Sequence, residues 1–207
     1  AKEQLQEWYG IDHPDAICAC VGGGSNAIGI MNAFLDDDRV NLYGFEAGGE
    51  GPESGRHAIR FAPGTGELGM FQGAKSYLLE NSEGQTLDTY SISAGLDYAS
   101  VGPEHAWLKD IGRVTYSWAT DGEAMSAFKD LCETEGIIPA IESSHAIAGA
   151  YKAALDLKAK GYEHPVMIVN VSGRGDKDMN TAGKWFGYLT DEQSKALEAN
   201  GAQGNNA

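Results

Sequence analysis

The sequence predicts an α/β protein in which a mostly parallel sheet is covered by helices on both faces. Three observations carry this prediction. Short apolar runs of strand length alternate with longer runs of helical periodicity, glycine-rich or polar turns follow several of the apolar runs, and no internal repeat appears. Such alternation is typical of parallel strands joined by crossover helices, and those helices must pack on the faces of the sheet.

The individual elements follow in order along the chain. Strands are predicted over residues 16–21, 40–46, 114–119 and 166–171, and helices over residues 27–35, 122–134 and 144–160. Asp121 is the predicted cap of the second helix, and Gly136 is its predicted end. The glycine-rich residues 47–73 are predicted to be mostly loop, and residues 76–79 and 87–91 to form a hairpin around the turn ENSEGQ.

Length and composition define the domain organisation and exclude some partners. A chain of 207 residues with 42% hydrophobic content can bury one substantial core. We expect one domain over residues 1–190, and then, over residues 191–207, a terminal helix followed by the unstructured tail GAQGNNA at residues 201–207. The net charge of −15 argues against a nucleic acid or an anionic membrane as partner. No apolar run approaches the roughly 20 residues of a membrane span.

Three cysteines indicate a reducing compartment. Cys18 and Cys20 lie two residues apart in a predicted strand, where both thiols point to one face without facing each other. Together with Cys132 they do not suit a disulfide framework, and we expect buried thiols in a cytoplasmic protein.

The glycine-rich stretch ACVGGGSNAIG indicates an anion-binding turn. Gly22, Gly23 and Gly24, followed by Ser25 and Asn26, separate a predicted strand from a predicted helix. Glycine lets a phosphate approach backbone N–H groups, and the start of a helix supplies unpaired donors. The spacing matches neither the P-loop nor the dinucleotide pattern, so a structural glycine turn is the alternative.

Two further strand-to-helix junctions carry polar groups. The segment NVSGRGDKD follows the apolar run PVMIVNV and places Ser172 at the end of a predicted strand. In EGIIPAIESSHAIA, Glu142 and the serines after it immediately precede a predicted helix. Ligands of open α/β sheets gather at the carboxyl ends of the strands, so these groups are candidates for one site.

These three segments, together with SISAGLDYASVGPEHAWLKDIGRV at residues 91–114, closely resemble the tryptophan synthase β family. That family comprises pyridoxal-phosphate enzymes of fold type II, and the resemblance covers residues 16–178. It implies a lyase that replaces the hydroxyl of L-serine by indole to give L-tryptophan. It also implies a tryptophan synthase α subunit and a second β subunit as partners.

The resemblance also implies roles for individual residues. Gly22, Gly23, Gly24, Ser25 and Asn26 match the loop that binds the cofactor phosphate. Ser172 matches the residue that hydrogen-bonds the pyridine nitrogen. Glu142 matches a position beside the cofactor ring, and Asp97 matches an acidic residue that contacts the reacting amino acid.

A monovalent cation, Na⁺ or K⁺, is a further implication of the resemblance. Gly22, Tyr98 and Ser100 match the positions whose backbone carbonyls bind it. His105 and His145 match no catalytic pattern, and we expect them to be structural. We expect Lys177 and Asp178 to form an ion pair near the Ser172 loop.

The lysine that holds the cofactor in this family lies in a His-Lys-x-Asn type motif, and no such motif occurs in this sequence. The resemblance therefore implies the C-terminal portion of a longer subunit, inactive by itself, without the N-terminal domain that carries this lysine. Two alternatives stay open. One is another fold type II enzyme, such as a serine/threonine dehydratase or a cysteine synthase, and the other is a non-catalytic phosphate-binding fragment.

Overall fold

Strands and helices alternate along most of the chain. The computed structural model describes residues 1–204. Its strands are β1 (Ala16–Cys20), β2 (Asn41–Ala47), β3 (Glu67–Phe71), β4 (Ala74–Leu78), β5 (Val114–Ala119) and β6 (Met167–Val169). Its α-helices are α1 (Lys2–Tyr9), α2 (Ser25–Met31), α3 (Pro103–Asp110), α4 (Asp121–Glu135), α5 (Ile141–Ala159), α6 (Met179–Trp185) and α7 (Asp191–Gly204).

The central sheet is parallel throughout. Its four strands lie in the order β5-β2-β1-β6, so that β1 and β2 occupy the middle. Both neighbours of β1 run in the same direction as β1, and β5 runs parallel to β2. This arrangement confirms the predicted fold class and brings the carboxyl ends of all four strands to one edge.

Helices cover both faces of this sheet, as the alternation of the sequence predicts. On one face, Ile17 and Ala19 of β1 lie in one apolar cluster with Met31 of α2 and Leu108 of α3. The side chains that point the other way, including Cys18, pack against α5. Helix α4 packs on α5, and Ala127 of α4 lies in one cluster with Ala119 of β5 and Ile147 of α5.

The small antiparallel hairpin corrects one prediction. Strand β4 pairs with β3, which lies inside the segment predicted to be loop, and residues 87–91 form no strand. The reason is the two-residue turn between β3 and β4. Gln72 and Gly73 have φ values of 49° and 80°, and two positive φ angles suit a type I′ hairpin turn. The chain does reverse at ENSEGQ, with one antiparallel bridge between Glu80 and Thr86, and Leu87 N–H donates to the Leu79 carbonyl at 2.9 Å.

All three predicted helices start earlier than predicted, and α2 begins at Ser25 rather than at residue 27. Helix α4 is capped by Thr120 in a capping box with Glu123, whereas Asp121 is buried in the first turn and accepts from Ile92 N–H at 3.3 Å. The capping box satisfies two N–H groups at once, which is why Thr120 takes the cap. Helix α5 begins at Ile141, so Glu142 lies inside its first turn rather than before it. Gly136 does end α4, in the left-handed conformation.

The C-terminal segment continues as α7 to Gly204, so the first four residues of the tail predicted to be unstructured are helical. The rest of that tail, residues 205–207, lies outside the described residues. A domain boundary at residue 190 remains a prediction. In the described part of the chain, no helix has both the length and the apolar character that crossing a bilayer requires.

Candidate functional site

The candidate site lies at the carboxyl edge of the parallel sheet. The glycine loop follows β1, the Ser172 segment follows the adjacent strand β6, and the first turn of α5 lies between them. The loop at residues 93–100 packs against the glycine loop, because a Cβ on Gly22 would lie 2.6 Å from the Gly95 carbonyl oxygen. The structure therefore brings together the segments that the sequence singles out.

Close packing explains why glycine is required in the first loop. Gly24 has a φ of 99°, and a Cβ at this residue would overlap the imidazole of His105. Gly22 has no room for a side chain beside Gly95. Any larger residue at these two positions would push the loop away from the segments that support it.

His105 supports the glycine loop from behind. Its Nε2–H donates to the Gly24 carbonyl at 2.8 Å, which leaves Nδ1 to accept from the Tyr116 hydroxyl at 2.7 Å. Burial lowers the pKa of His105 and keeps the ring neutral. The N–H of Gly102, three residues before His105, donates to the Gly23 carbonyl at 2.9 Å. His105 thus has the structural role that the sequence indicates.

The N–H groups of the glycine loop are available to a ligand. Among the described residues, none of the N–H groups of residues 22–24 donates to a backbone carbonyl. Gly23 and Ser25 are both exposed at this edge of the sheet. The loop therefore offers backbone donors and one hydroxyl without a side chain that covers them.

The side chain of Asn26 bonds to the ends of two strands. Its Nδ2 donates to the Cys20 carbonyl at 3.0 Å, and its Oδ1 accepts from Asn170 Nδ2 at 3.0 Å. The side chain therefore ties the ends of β1 and β6 together. Only its backbone N–H remains for a ligand of the loop.

Ser172 lies in neutral polar surroundings. The Ser143 hydroxyl donates to the Ser172 carbonyl, and the two hydroxyl oxygens are 3.4 Å apart. Burial raises the pKa of the neighbouring Cys20 thiol to about 11. No formal charge is therefore present among these three groups near pH 7, and Ser172 offers a neutral hydroxyl.

Glu142 is held as a carboxylate at the start of α5. Its Oε1 accepts from Gly95 N–H at 3.0 Å, and its Oε2 lies 2.8 Å from Lys177 Nζ. Burial opposes ionisation of Glu142, but the Lys177 ammonium and the backbone N–H groups outweigh it, so the pKa is lowered. Lys177 also pairs with Asp178 at 2.8 Å, as expected, and Asp178 accepts from Ile141 N–H at 3.0 Å.

Asp97 and two of the three predicted cation positions, Tyr98 and Ser100, lie on the neighbouring loop, and the third, Gly22, lies in the glycine loop. Asp97 is exposed in the turn that follows Leu96. The carbonyl oxygens of Gly22, Tyr98 and Ser100 converge, and all three accept hydrogen bonds from Arg60. The group between these carbonyls is thus a guanidinium.

Four features of this site were not predicted from the sequence: Arg60, Glu46, Asn170 and the contact of Ser143 with Ser172. Arg60 is a single charge within the apolar run HAIRFA, and a lone charge in such a run signals a buried ion pair. Its partner Glu46 lies fourteen residues earlier at the end of β2, and no local pattern connects the two. Among the described residues, no group of three or more metal-ligating side chains is suited to a metal ion.

A parallel sheet with a glycine loop and strand-end hydroxyls at its carboxyl edge is typical of α/β proteins that bind a small ligand at that edge. The comparison with protein families specifies the class further. The chain belongs to the family described as pyridoxal-phosphate dependent enzyme, whose model matches residues 1–171. The fold is accordingly that of the fold type II enzymes, and the cofactor of the family is pyridoxal phosphate.

Curated relatives are similar over most of this chain. The tryptophan synthase beta chain of Mycobacterium tuberculosis (strain H37Rv) is 61% identical over 189 residues, which is 91% of this chain and 43% of the relative. The protein of the same name in Mycobacterium leprae is 59% identical over 85% of this chain, or 41% of the relative. That of Streptomyces coelicolor is 50% identical over 98% of this chain, or 46% of the relative. The chain thus spans less than half the length of these relatives.

The residues at this edge fit the cofactor of the family. Gly22 and Gly24 fit closely against Gly95 and His105, and in the described part of the chain the N–H groups of residues 22–24 donate to no backbone carbonyl, which suits a phosphate. The neutral hydroxyl of Ser172 suits an unprotonated ring nitrogen, because it can donate one hydrogen bond and carries no charge.

Proposed function

We propose that this chain supplies the cofactor-binding part of a tryptophan synthase β chain, which replaces the hydroxyl of L-serine by indole to form L-tryptophan. The observation that carries the proposal is the gathering of the glycine loop, Ser172 and Glu142 at one sheet edge. Identities of 50–61% to tryptophan synthase beta chains over these segments support it.

In this proposal, the glycine loop binds the phosphate group. The backbone N–H groups of Gly22, Gly23, Gly24 and Asn26 and the Ser25 hydroxyl donate to it. Hydrogen bonds to a charged phosphate are stronger than those between neutral groups, so this loop would fix the position of the cofactor. His105 keeps the loop in shape through its bond to the Gly24 carbonyl.

Ser172 would donate to the pyridine nitrogen and leave it unprotonated. Pyridoxal phosphate, when bound, delocalises the electron pair left at the α-carbon of an amino acid after its proton is removed. A neutral hydroxyl stabilises a protonated ring far less than a carboxylate would. Ser172 therefore favours loss and replacement of a group at the β-carbon over reactions that need a strong electron sink.

Glu142 and Asp97 would act on the ligand side of the cofactor. Glu142 remains anionic through Lys177, so it accepts hydrogen bonds and orients the loop at Gly95. We assign it a place beside the cofactor ring. Asp97 is exposed two residues after Gly95, where its carboxylate can accept from the hydroxyl of the reacting serine.

The proposal carries partners and a location with it. We propose an α subunit that provides indole and a second β subunit, as the name of the relatives indicates for a component of a larger enzyme. We also propose that the protein is cytoplasmic. The free, buried Cys18 and Cys20 agree with a reducing compartment.

A chimaera tests the proposed activity. In it, this chain replaces the matching segment of the M. tuberculosis relative, which supplies the remaining length. We expect the chimaera to consume indole in the presence of L-serine and to release L-tryptophan, measured by chromatography. A chimaera with the Ser172→Asp substitution is the matched variant, and it should lose most tryptophan formation while it still binds the cofactor.

The products also separate the alternatives. Pyruvate from serine without use of indole would indicate a dehydratase, and cysteine formed with sulfide would indicate a cysteine synthase. Binding of the cofactor without any product would indicate a phosphate-binding fragment. Any of these three outcomes in the absence of tryptophan would refute the proposal.

A further inference from the structure

Arg60 is the most deeply buried charged side chain at the candidate site. Its relative exposure is 0%, and its guanidinium lies between the glycine loop and the segment at residues 98–100. Nη1 donates to the carbonyls of Tyr98 and Ser100 at 2.6 and 2.8 Å. Nη2 donates to the carbonyls of Val21 and Gly22, both at 2.9 Å.

Glu46 balances the charge of this guanidinium. Its Oε1 accepts from Arg60 Nε at 2.7 Å and from Arg60 N–H at 3.0 Å. Its Oε2 accepts from the N–H of Phe61 at 3.0 Å, and Glu46 is itself only 1% exposed. Each of the three guanidinium nitrogens therefore has an oxygen partner, which a charge buried this deeply requires.

The cage around Arg60 has the composition of a cation site. Four backbone carbonyls and one carboxylate, contributed by separate stretches of the chain, surround one positive charge. Three of these carbonyls, those of Gly22, Tyr98 and Ser100, are the predicted ligands of a monovalent cation. A metal ion cannot share the space, because its oxygen ligands already accept from the guanidinium and two like charges would repel each other.

We propose that Arg60 is a built-in replacement for the monovalent cation. Its guanidinium holds the glycine loop against residues 98–100, so neither Na⁺ nor K⁺ binds between these carbonyls. Arg60 is thus a positioning residue for the phosphate-binding loop. The inference concerns backbone geometry and ion binding, and it does not depend on which reaction the protein catalyses.

Thermal unfolding of the chain in different salts tests this inference. The wild-type chain, Arg60→Ala and Arg113→Ala are compared in KCl, NaCl, CsCl and tetramethylammonium chloride at equal ionic strength. Arg113 is the matched control, because its guanidinium also donates to four backbone carbonyls, those of Leu35, Val40, Phe34 and Asp37. Arg113 is only half-buried, so water can reach the carbonyls that its removal leaves free.

The wild-type chain should unfold at the same temperature in all four salts, within about 1 °C. Arg60→Ala should unfold at a lower temperature and regain about 3 °C or more in KCl or CsCl relative to tetramethylammonium chloride. Ions of suitable size would then enter the vacated cage. Arg113→Ala should also lose stability but show no selectivity among the ions, which distinguishes a cation cage from ordinary support by an arginine.

A ²³Na NMR titration of the wild-type chain decides the matter if Arg60→Ala does not fold. Line broadening that K⁺ reverses would reveal a monovalent cation site and would overturn the inference. Ion-selective stabilisation of the wild-type chain, or a folded Arg60→Ala chain without ion-selective recovery, would overturn it as well. Absence of broadening in the folded wild type supports it.

Discussion

Replacing Glu46 by glutamine should destabilise the chain far more than the loss of one exposed carboxylate would. The side chain of Glu46 accepts three hydrogen bonds, from Arg60 Nε, Arg60 N–H and Phe61 N–H. A glutamine side chain is nearly isosteric but presents an NH₂ group at one end. That end would face a backbone or guanidinium N–H, so one donor would meet another donor.

The expected magnitude follows from the burial of the pair. The side chains of Arg60 and Glu46 are 0% and 1% exposed, so water cannot replace the lost charge. Removing one partner of a buried ion pair costs about 3–5 kcal/mol, because the other charge stays buried and uncompensated. A domain has only about 5–15 kcal/mol of stability, so Glu46→Gln should remove a large fraction of it.

Urea denaturation followed by far-UV circular dichroism measures this loss. The matched control is Glu133→Gln, which removes an exposed carboxylate that lies 3.6 Å from Lys129 on α4. An exposed pair of this kind contributes about 0.5 kcal/mol or less. A free energy of unfolding for Glu46→Gln within about 1 kcal/mol of that for Glu133→Gln would refute the reasoning.

Three further predictions concern the packing, the pH dependence and the phosphate loop. Gly149→Ala should destabilise the chain by about 1–3 kcal/mol in urea, because its Cβ would overlap the Phe45 ring, whereas Gly29→Ala, with nothing within 4 Å, should not. Burial lowers the pKa of His145 from 6.5 to about 4. Between these pH values the unfolded chain binds a proton at this histidine and the folded chain does not, so the free energy of unfolding falls as the pH falls below 6.5. His145→Gln should make the decrease in the free energy of unfolding between pH 7.5 and 5 smaller by about 2 kcal/mol, and an unchanged pH dependence of this free energy would contradict the prediction. Ser25→Ala in the chimaera should weaken pyridoxal phosphate binding roughly tenfold in a fluorescence titration, because one hydrogen bond to the phosphate is lost. Equal affinity would argue against phosphate binding by the Ser25 hydroxyl.

Local sequence signals predicted the central sheet well. The run at residues 114–119 is a strand with those bounds, and α4 ends at Gly136 because only glycine takes the left-handed conformation there without strain. Both signals depend on neighbouring residues alone. The predicted pairing around ENSEGQ is limited to one antiparallel bridge, between Glu80 and Thr86, because the Gln72–Gly73 turn pairs β4 with β3 along its whole length.

For the candidate site too, the sequence predicted the segments but not the contacts between them. The glycine loop, Ser172 and Glu142 each follow a recognisable junction, so the sequence placed them at one edge of a parallel sheet. The contacts among them were not predictable, because Lys177 reaches Glu142 across 35 residues and Asn170 reaches Asn26 across 144. Such partners depend on how the elements pack together.

The amino-acid sequence was enough to predict the α/β class, the alternation of strands and helices along the chain, and the glycine loop between the first strand of the sheet and the helix that follows it. These follow from periodicity and from the backbone freedom of glycine, which are local properties. The position of the Arg60 guanidinium between the converging carbonyls is visible only in the folded structure. The reason is physical: the four carbonyls and Glu46 come from distant parts of the chain, and only folding brings them around Arg60.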